Sequence, residues 1–160
     1  MTAVLARHRA LRRVFGTYPT GVAVVAALVD GRPVGLAASS FVPVSLEPPL
    51  VSVCVAHTST TWPVLRGVPR LGISVLGADQ EAVGRQLGAR VPDRFAGLQW
   101  SVSGSGAVSL DGAAARLECS VYQHVSAGDH DIVLFAIHDH EATEGAGALV
   151  FHGSTFRSLA

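Results

Sequence analysis

The sequence predicts a mainly β protein folded as an antiparallel barrel or sandwich. Three observations carry this expectation: apolar segments of strand length recur along the chain, only two stretches have helical spacing, and the two types do not alternate as a βαβ fold requires. With 160 residues, 49% hydrophobic and 15% charged, the chain has the length of one domain and enough apolar side chains for a single core. It shows no internal repeat and no low-complexity tract, so residues 1–160 are expected to form one domain.

Residues 4–15 place Val4, His8, Leu11 and Phe15 on one helical face, with Arg7, Arg9, Arg12 and Arg13 around the rest, which predicts an amphipathic opening helix with a solvated basic side. From Gly21 the pattern becomes a β-rich apolar run over residues 22–28, closed by Asp30-Gly31, a dipeptide suited to a tight hairpin. A returning strand is expected over residues 33–39. Residues 50–56 alternate Val51, Val53 and Val55 against Leu50, Ser52, Cys54 and Ala56, after the breaking pair Pro48-Pro49. Residues 71–76 read as a strand, and residues 79–87 as a helix capped by Asp79 with Gly88 just past its end. Two long antiparallel strands follow over residues 116–125, with Leu117, Cys119, Val121 and Val125 on one side, and residues 131–140, with Val133, Phe135 and Ile137 on one side. Between the halves, residues 89–111 show little period, and a connection this long inside a compact domain is usually functional.

All twelve basic residues are arginine, and the chain has no lysine and no asparagine. That excludes a Schiff-base lysine, a P-loop lysine and asparagine-linked glycosylation. Zero formal net charge offers no field for nucleic acid or anionic lipid. No apolar run approaches a membrane span and no signal-peptide order appears, so a cytoplasmic location is expected, with neither nucleic acid nor membrane as partner. Cys54 and Cys119 lie in strand-like segments and are read as buried free thiols.

Most motif searches fail. Gly104-Ser105-Gly106 and Gly145-Ala146-Gly147 do not follow a strand and open a helix, so they support no dinucleotide fold. His138-Asp139-His140-Glu141 alternates across a strand and cannot converge on a metal unaided; a solvated strand end is the preferred reading. Cys54 and His57 have no acidic partner nearby in sequence, which disfavours a nucleophilic pair. The informative constellation is rich in hydroxyls: Ala37-Ala38-Ser39-Ser40-Phe41 ends one strand and His57-Thr58-Ser59-Thr60-Thr61-Trp62 follows another. Small residues admit a ligand to the backbone, and hydroxyls with free N–H groups hold phosphate oxygens without lysine. Serine and threonine clusters are also ordinary turn formers, as is Gly128-Asp129-His130, whose aspartate is read as supporting the backbone.

These residues are part of an ordered set that resembles the flavin reductase domain family with the FMN-binding split-barrel fold. The set begins at Phe15-Gly16-Thr17-Tyr18-Pro19-Thr20-Gly21-Val22-Ala23-Val24-Val25 and continues through Gly35 to Phe41, Val44-Ser45-Leu46-Glu47-Pro48-Pro49-Leu50-Val51 and Ser59-Thr60-Thr61-Trp62. It goes on with Arg94-Phe95-Ala96-Gly97, Leu117-Glu118-Cys119, Gly128-Asp129-His130 and Leu149-Val150-Phe151-His152-Gly153, and ends at Phe156. Each piece is weak singly; their order over nearly the whole chain is specific.

The resemblance implies a six-stranded, Greek-key split barrel with a few flanking helices, a homodimer, and FMN or FAD as cofactor with NADH or NADPH as reductant. It implies that Ala37, Ala38, Ser39 and Ser40 border the flavin, that Cys54 and Val55 back its ring, and that Ser59, Thr60 and Thr61 form the phosphate loop. Arg94 and Phe95 fall beside the cofactor, His130 near the nicotinamide as the catalytic-site histidine, and Phe156 where an aromatic covers the site. Ala37 and Ser39 depart from the threonine and asparagine frequent at these family positions. The implied activity is NAD(P)H-dependent flavin reduction, hydride passing from nicotinamide C4 to flavin N5, with reduced flavin supplied to a separate oxygenase. The rivals are an enzyme using bound flavin directly on a small substrate and a non-catalytic flavin-binding module. Without lysine or asparagine, phosphate binding falls to Ser39, Ser40, Ser59, Thr60, backbone N–H groups and Arg94, and such mostly uncharged donors predict modest flavin affinity.

Overall fold

The computed structural model describes residues 2–159. Helix α1 (Ala3–Gly16) is capped by Thr2, whose hydroxyl accepts from Leu5 N at 3.3 Å. It forms as expected, yet none of its residues is buried. Strands β1 (Ala23–Val29) and β2 (Arg32–Ala38) pair across Asp30-Gly31, at φ 50° and 77°, the primed-turn conformation whose twist matches that of the strands. Strands β3 (Val42–Leu46) and β4 (Pro49–Ala56), the single-turn helix α2 (Trp62–Leu65) and strand β5 (Leu71–Val75) come next.

Helix α3 (Glu81–Gly88) starts after Gln80 rather than at the expected cap Asp79, and retains Gly88. The reason is that the Gln80 side chain ties the entry loop, accepting from Gly77 N at 2.9 Å and donating to Asp111 O at 3.0 Å. The aperiodic connection folds back along β2 and then forms the hairpin of β6 (Trp100–Val102) and β7 (Val108–Leu110). The long hairpin of β8 (Ala115–Ala127) and β9 (His130–Ala142) turns on Gly128 and Asp129, with Gly128 at φ 65°. Strands β10 (Leu149–His152) and β11 (Thr155–Ser158) complete the chain. No helix among the described residues is long and apolar enough to cross a membrane.

The main sheet is wholly antiparallel in the order β2-β1-β5-β8-β9-β4-β3. It contains the six expected barrel strands, with β3 added beyond β4 as a seventh. Its two edges, β2 and β3, are consecutive in the chain and joined by Ser39, Ser40 and Phe41 alone. Three residues span about 10 Å, so the sheet has to curl until its edges nearly meet. They are not hydrogen-bonded shut, which makes this a split barrel. Ser40 bridges the gap: its hydroxyl accepts from Cys54 N at 3.0 Å and donates to Cys54 O at 3.2 Å, just beyond the last β3–β4 partners, Val42 and Ser52.

Inside the barrel, Ala23, Val25, Val51, Val53, Val55, Leu71, Ile73, Cys119, Val133 and Phe135 pack with Trp62 and Leu65 of α2. The opposite face of β1 (Val24, Ala26) packs with Leu87 of α3, Phe95, Val108, Leu110 and Leu149. Because β1 is buried on both faces, its sequence is a continuous apolar run instead of an alternating one. The expected inward face of β8 holds for Leu117, Cys119 and Val121 but not for Val125, which is 40% exposed. A bulge at Tyr122 shifts the register between Val121 and Gln123. His124 consequently turns toward the ring of Trp62, with ring centroids 5.7 Å apart. A second shift, between Glu118 and Cys119, leaves His138 of β9 as the extra residue there.

At Gly72 the sheet and the β6–β7 hairpin touch backbone to backbone, and a Cβ there would overlap the Val108 carbonyl. Gly72→Ala should lower stability by about 3 kcal/mol through overpacking, measured as a fall in the urea midpoint at unchanged m-value.

Candidate functional site

Two cavities adjoin along β2. The first, about 380 Å³, is lined by Leu36, Ala37, Ala38, Ser39, Ser40, Cys54, Val55, Ala56, Ser59 and His130. The second, about 260 Å³, is lined by Pro33, Val34, Gly35, Thr60, Thr61 and residues 91–95. Their linings are consecutive in the chain at Gly35–Leu36 and at Ser59–Thr60. The first is within the size range of a small-molecule site and the second falls just below it. Twelve of the thirteen residues singled out by sequence line one or other cavity. Phe156 is the exception: in β11 it packs on Phe151, ring centroids 5.3 Å apart, with the Arg85 guanidinium 5.2 Å from its ring. The aromatic cluster beside α3 holds it away from both cavities.

A larger cavity of about 450 Å³ lies between the β6–β7 hairpin and the inner ends of β8 and β9. It contains none of those thirteen residues, and its Arg116 is paired with Glu141. His138, Asp139, His140 and Glu141 are exposed, and no metal-binding cluster occurs among the described residues.

The walls of the first cavity are mostly small. Ala37 and Ala38 from β2 face the β4 edge, where Cys54 is exposed rather than buried as expected, because its strand face opens on the split. Cys119 is the buried thiol, pushed up to about 12 by burial and then by the charge of Glu118. The hydroxyl of Ser40 is occupied by the β4 backbone, and that of Ser59 accepts from Trp62 N at 3.1 Å. The Ser40 proton is therefore spent on Cys54 O, whereas Ser59, which only accepts, keeps its O–H to give. The other open donors are the backbone N–H groups of Thr60 and Thr61, which have no partner among the described residues, together with Arg94.

Arg94 is fixed at three points. Its Nε donates to Ala89 O at 3.0 Å, and one terminal nitrogen donates to Gly35 O at 3.2 Å and Thr61 Oγ1 at 3.4 Å. The other terminal nitrogen is without a protein partner among the described residues and is available to an anion. Phe95 is 4% exposed, and its ring would overlap any Cβ at Gly35, so that position requires glycine.

At the other end, His130 begins β9 and its Nδ1 lies 2.7 Å from Asp129 Oδ1. A carboxylate only accepts, so Nδ1 carries the proton and, in the neutral ring, Nε2 is left as an acceptor. The Asp129 side chain thus orients a ring as well as accepting from its own turn backbone. The turn is held by His57, which donates its backbone N–H to Asp129 O at 2.9 Å and places its ring Nε2 2.8 Å from Asp131 Oδ1. His57 therefore has the acidic partner that sequence spacing did not suggest, but makes no hydrogen bond to Cys54. Sequence reasoning missed Asp131 and Gln86 as well. Asp131 was visible only as the residue cross-strand from Val55.

A family model described as "Flavin reductase like domain" matches residues 15–160. The chain belongs to this family. Among curated relatives, a probable flavin reductase of Rhizobium meliloti (strain 1021) is 40% identical over 135 residues, covering 84% of this chain and 43% of that protein. The reductase subunit HsaB of a flavin-dependent monooxygenase from Rhodococcus jostii (strain RHA1) is 38% identical over 122 residues, covering 76% of this chain and 63% of its own length. The chain thus spans less than two thirds of either. Among solved structures, the Streptomyces globisporus C-1027 NADH:FAD oxidoreductase SgcE6, in complex with NAD and FAD fragments, superposes with TM-score 0.91 at 36% identity, covering 97% of this chain and 94% of that one.

Two outcomes follow from this geometry. A thiol reagent at pH 8 should titrate one sulfhydryl per native chain and two after denaturation, since Cys54 is exposed and Cys119 is buried. The hydrogen bond from His130, and then its charge, hold the Asp129 carboxyl below its ordinary 3.8. The contact therefore stabilises the folded chain above that range and is lost as pH falls through the lowered value. An NMR titration should place the Asp129 midpoint below 3.8 and move it up in His130→Ala.

Proposed function

We propose that this flavin reductase domain is an NAD(P)H:flavin oxidoreductase that passes reduced FMN or FAD to a separate flavin-dependent oxygenase. The single observation that carries the reading is the placement of the two cavities side by side along β2, with small walls between Arg94 at one end and His130 at the other. A flavin fits these residues. Ala37, Ala38, Ser39 and the Cys54–Val55 edge would hold the ring system, and the Thr60 and Thr61 N–H groups with Arg94 would hold the phosphate. When bound, the flavin supplies a hydride-accepting N5, and the protein contributes alignment.

His130 would take the carboxamide N–H of the nicotinamide at Nε2 while Asp129 keeps Nδ1 protonated. It would thereby orient the dihydropyridine without acting as an obligatory base. Ser40, by closing the sheet edges onto each other, would keep water from the β4 side of the slot. The relatives named above support nicotinamide and flavin as the ligands and an oxygenase as the recipient.

We further propose a cytoplasmic homodimer. Leu46 is 93% exposed, Val42 and Val44 of the same strand β3 are 52% and 49% exposed, and α1 buries nothing in its own chain. Apolar exposure of this extent fits a face covered by a second copy.

The test is NADH and NADPH oxidation by purified protein with and without added FMN and FAD. Steady turnover that depends on added flavin is expected, as is loss of flavin on dialysis, because most phosphate donors are uncharged. His130→Ala should raise KM for the nicotinamide about tenfold with a smaller effect on flavin KM. Protein that binds flavin but leaves it oxidised under anaerobic NADH would be a binding module, and the proposal would fail.

A further inference from the structure

We propose that Gln86 is a positioning residue for flavin phosphate recognition, acting through Arg94; the inference rests on the flavin reading above. Arg94 sits on a loop, residues 89–97, that has no helix or strand of its own. Something outside the loop has to fix where its guanidinium stands. Gln86, on the last turn of α3, spends both protons of its side-chain amide on this loop. Nε2 donates to Arg94 O at 2.9 Å and to Ala96 O at 2.7 Å.

The two carbonyls flank Phe95, so the clamp holds the backbone on both sides of the buried ring. From there the connection continues outward. Arg94 Nε returns to Ala89 O at the end of α3, and its terminal nitrogen reaches Gly35 of β2 and Thr61 beside the second cavity. Gln86 itself lines neither cavity. Its influence on a ligand passes through the position of Arg94. Within the loop Asp93 Oδ1 accepts from Phe95 N at 3.0 Å. That bond sets the local turn but does not anchor it to α3.

The chemistry separates this role from simple packing. Arg94 meets only the phosphate end of a flavin, so a displaced Arg94 weakens recognition of FMN and leaves riboflavin, which has the same ring and no phosphate, untouched. Gln86→Met keeps the length of the side chain and removes both donors; Gln86→Lys restores donors with similar reach. The experiment is steady-state NADH oxidation with FMN and with riboflavin, for the wild type, these variants, Arg94→Met and the double variant Gln86→Met/Arg94→Met, with thermal unfolding recorded for each. The expected result is a rise of about tenfold in KM for FMN in Gln86→Met, with kcat and the riboflavin KM unchanged. Gln86→Lys should stay within about twofold of wild type, and Gln86→Met should add nothing on top of Arg94→Met.

Equal effects on FMN and riboflavin, or full additivity in the double variant, would overturn the proposal in favour of a purely structural glutamine. Should Gln86→Met fail to fold, Gln86→Glu, which keeps the shape and has no N–H to give, reads the same split. A wild type that already uses FMN and riboflavin with equal KM would overturn the phosphate assignment and this inference together. That result is distinguishable from failure of the Gln86 link alone, where the wild type discriminates and Gln86→Met still does.

Discussion

A three-residue link between the two edges of one sheet governs this molecule. Ser39, Ser40 and Phe41 are too short to let β2 and β3 lie apart, so the seven strands curl into a barrel that stays unsealed along one line. Ser40 makes that opening tolerable. Without it, the N–H and C=O of Cys54 would face the gap with only solvent to pair them. One hydroxyl answers both groups. The candidate slot therefore lies at the seam of the barrel, and its small side chains are those that a closely approached seam can accommodate.

Around the seam, three separate elements place the polar groups. The β8–β9 turn presents His130 because Ala127 and His130 are cross-strand partners with only two residues between them. The loop after β4 presents Thr60 and Thr61 because Ser59 caps the single-turn helix behind it. The 89–97 loop presents Arg94 because α3 holds it. None of the three is rigid by itself. Each is tied to a neighbour by a named side chain: His57 to the turn, Ser59 to α2, Gln86 to the arginine loop.

Much of this was legible in the sequence where local rules and burial agree. The Asp30-Gly31 turn, the alternation of Val51, Val53 and Val55, and the hydroxyl-rich segments all lie where pattern predicted. The departures have physical causes. Asp79 lost the cap position to a glutamine whose side chain reaches Asp111, a contact across 31 residues that no local pattern encodes. Val125 left the core because a bulge changed the period of β8 midway. Cys54 looked buried because strand spacing does not reveal that one side of β4 faces a seam. Ser40 was read as a phosphate donor, but its hydroxyl is spent on the β4 backbone, since composition shows hydroxyls and not what already occupies them. Phe156 belongs to an aromatic cluster that only the tertiary structure assembles.

The two bulges of the long hairpin have one more consequence. Strand β8 pairs with β5 only through residues 115–119, and β9 pairs with β4 only through residues 130–136. Each strand of the hairpin therefore carries an outer half whose far edge is open, and open edges invite strands of other molecules to add on. The extra residue of β8, Tyr122, and that of β9, His138, each fall within the open half of their own strand. An incoming straight strand would lose register within a few residues on either edge. The kinks that spoil the sequence periodicity thus also guard the hairpin against runaway polymerisation.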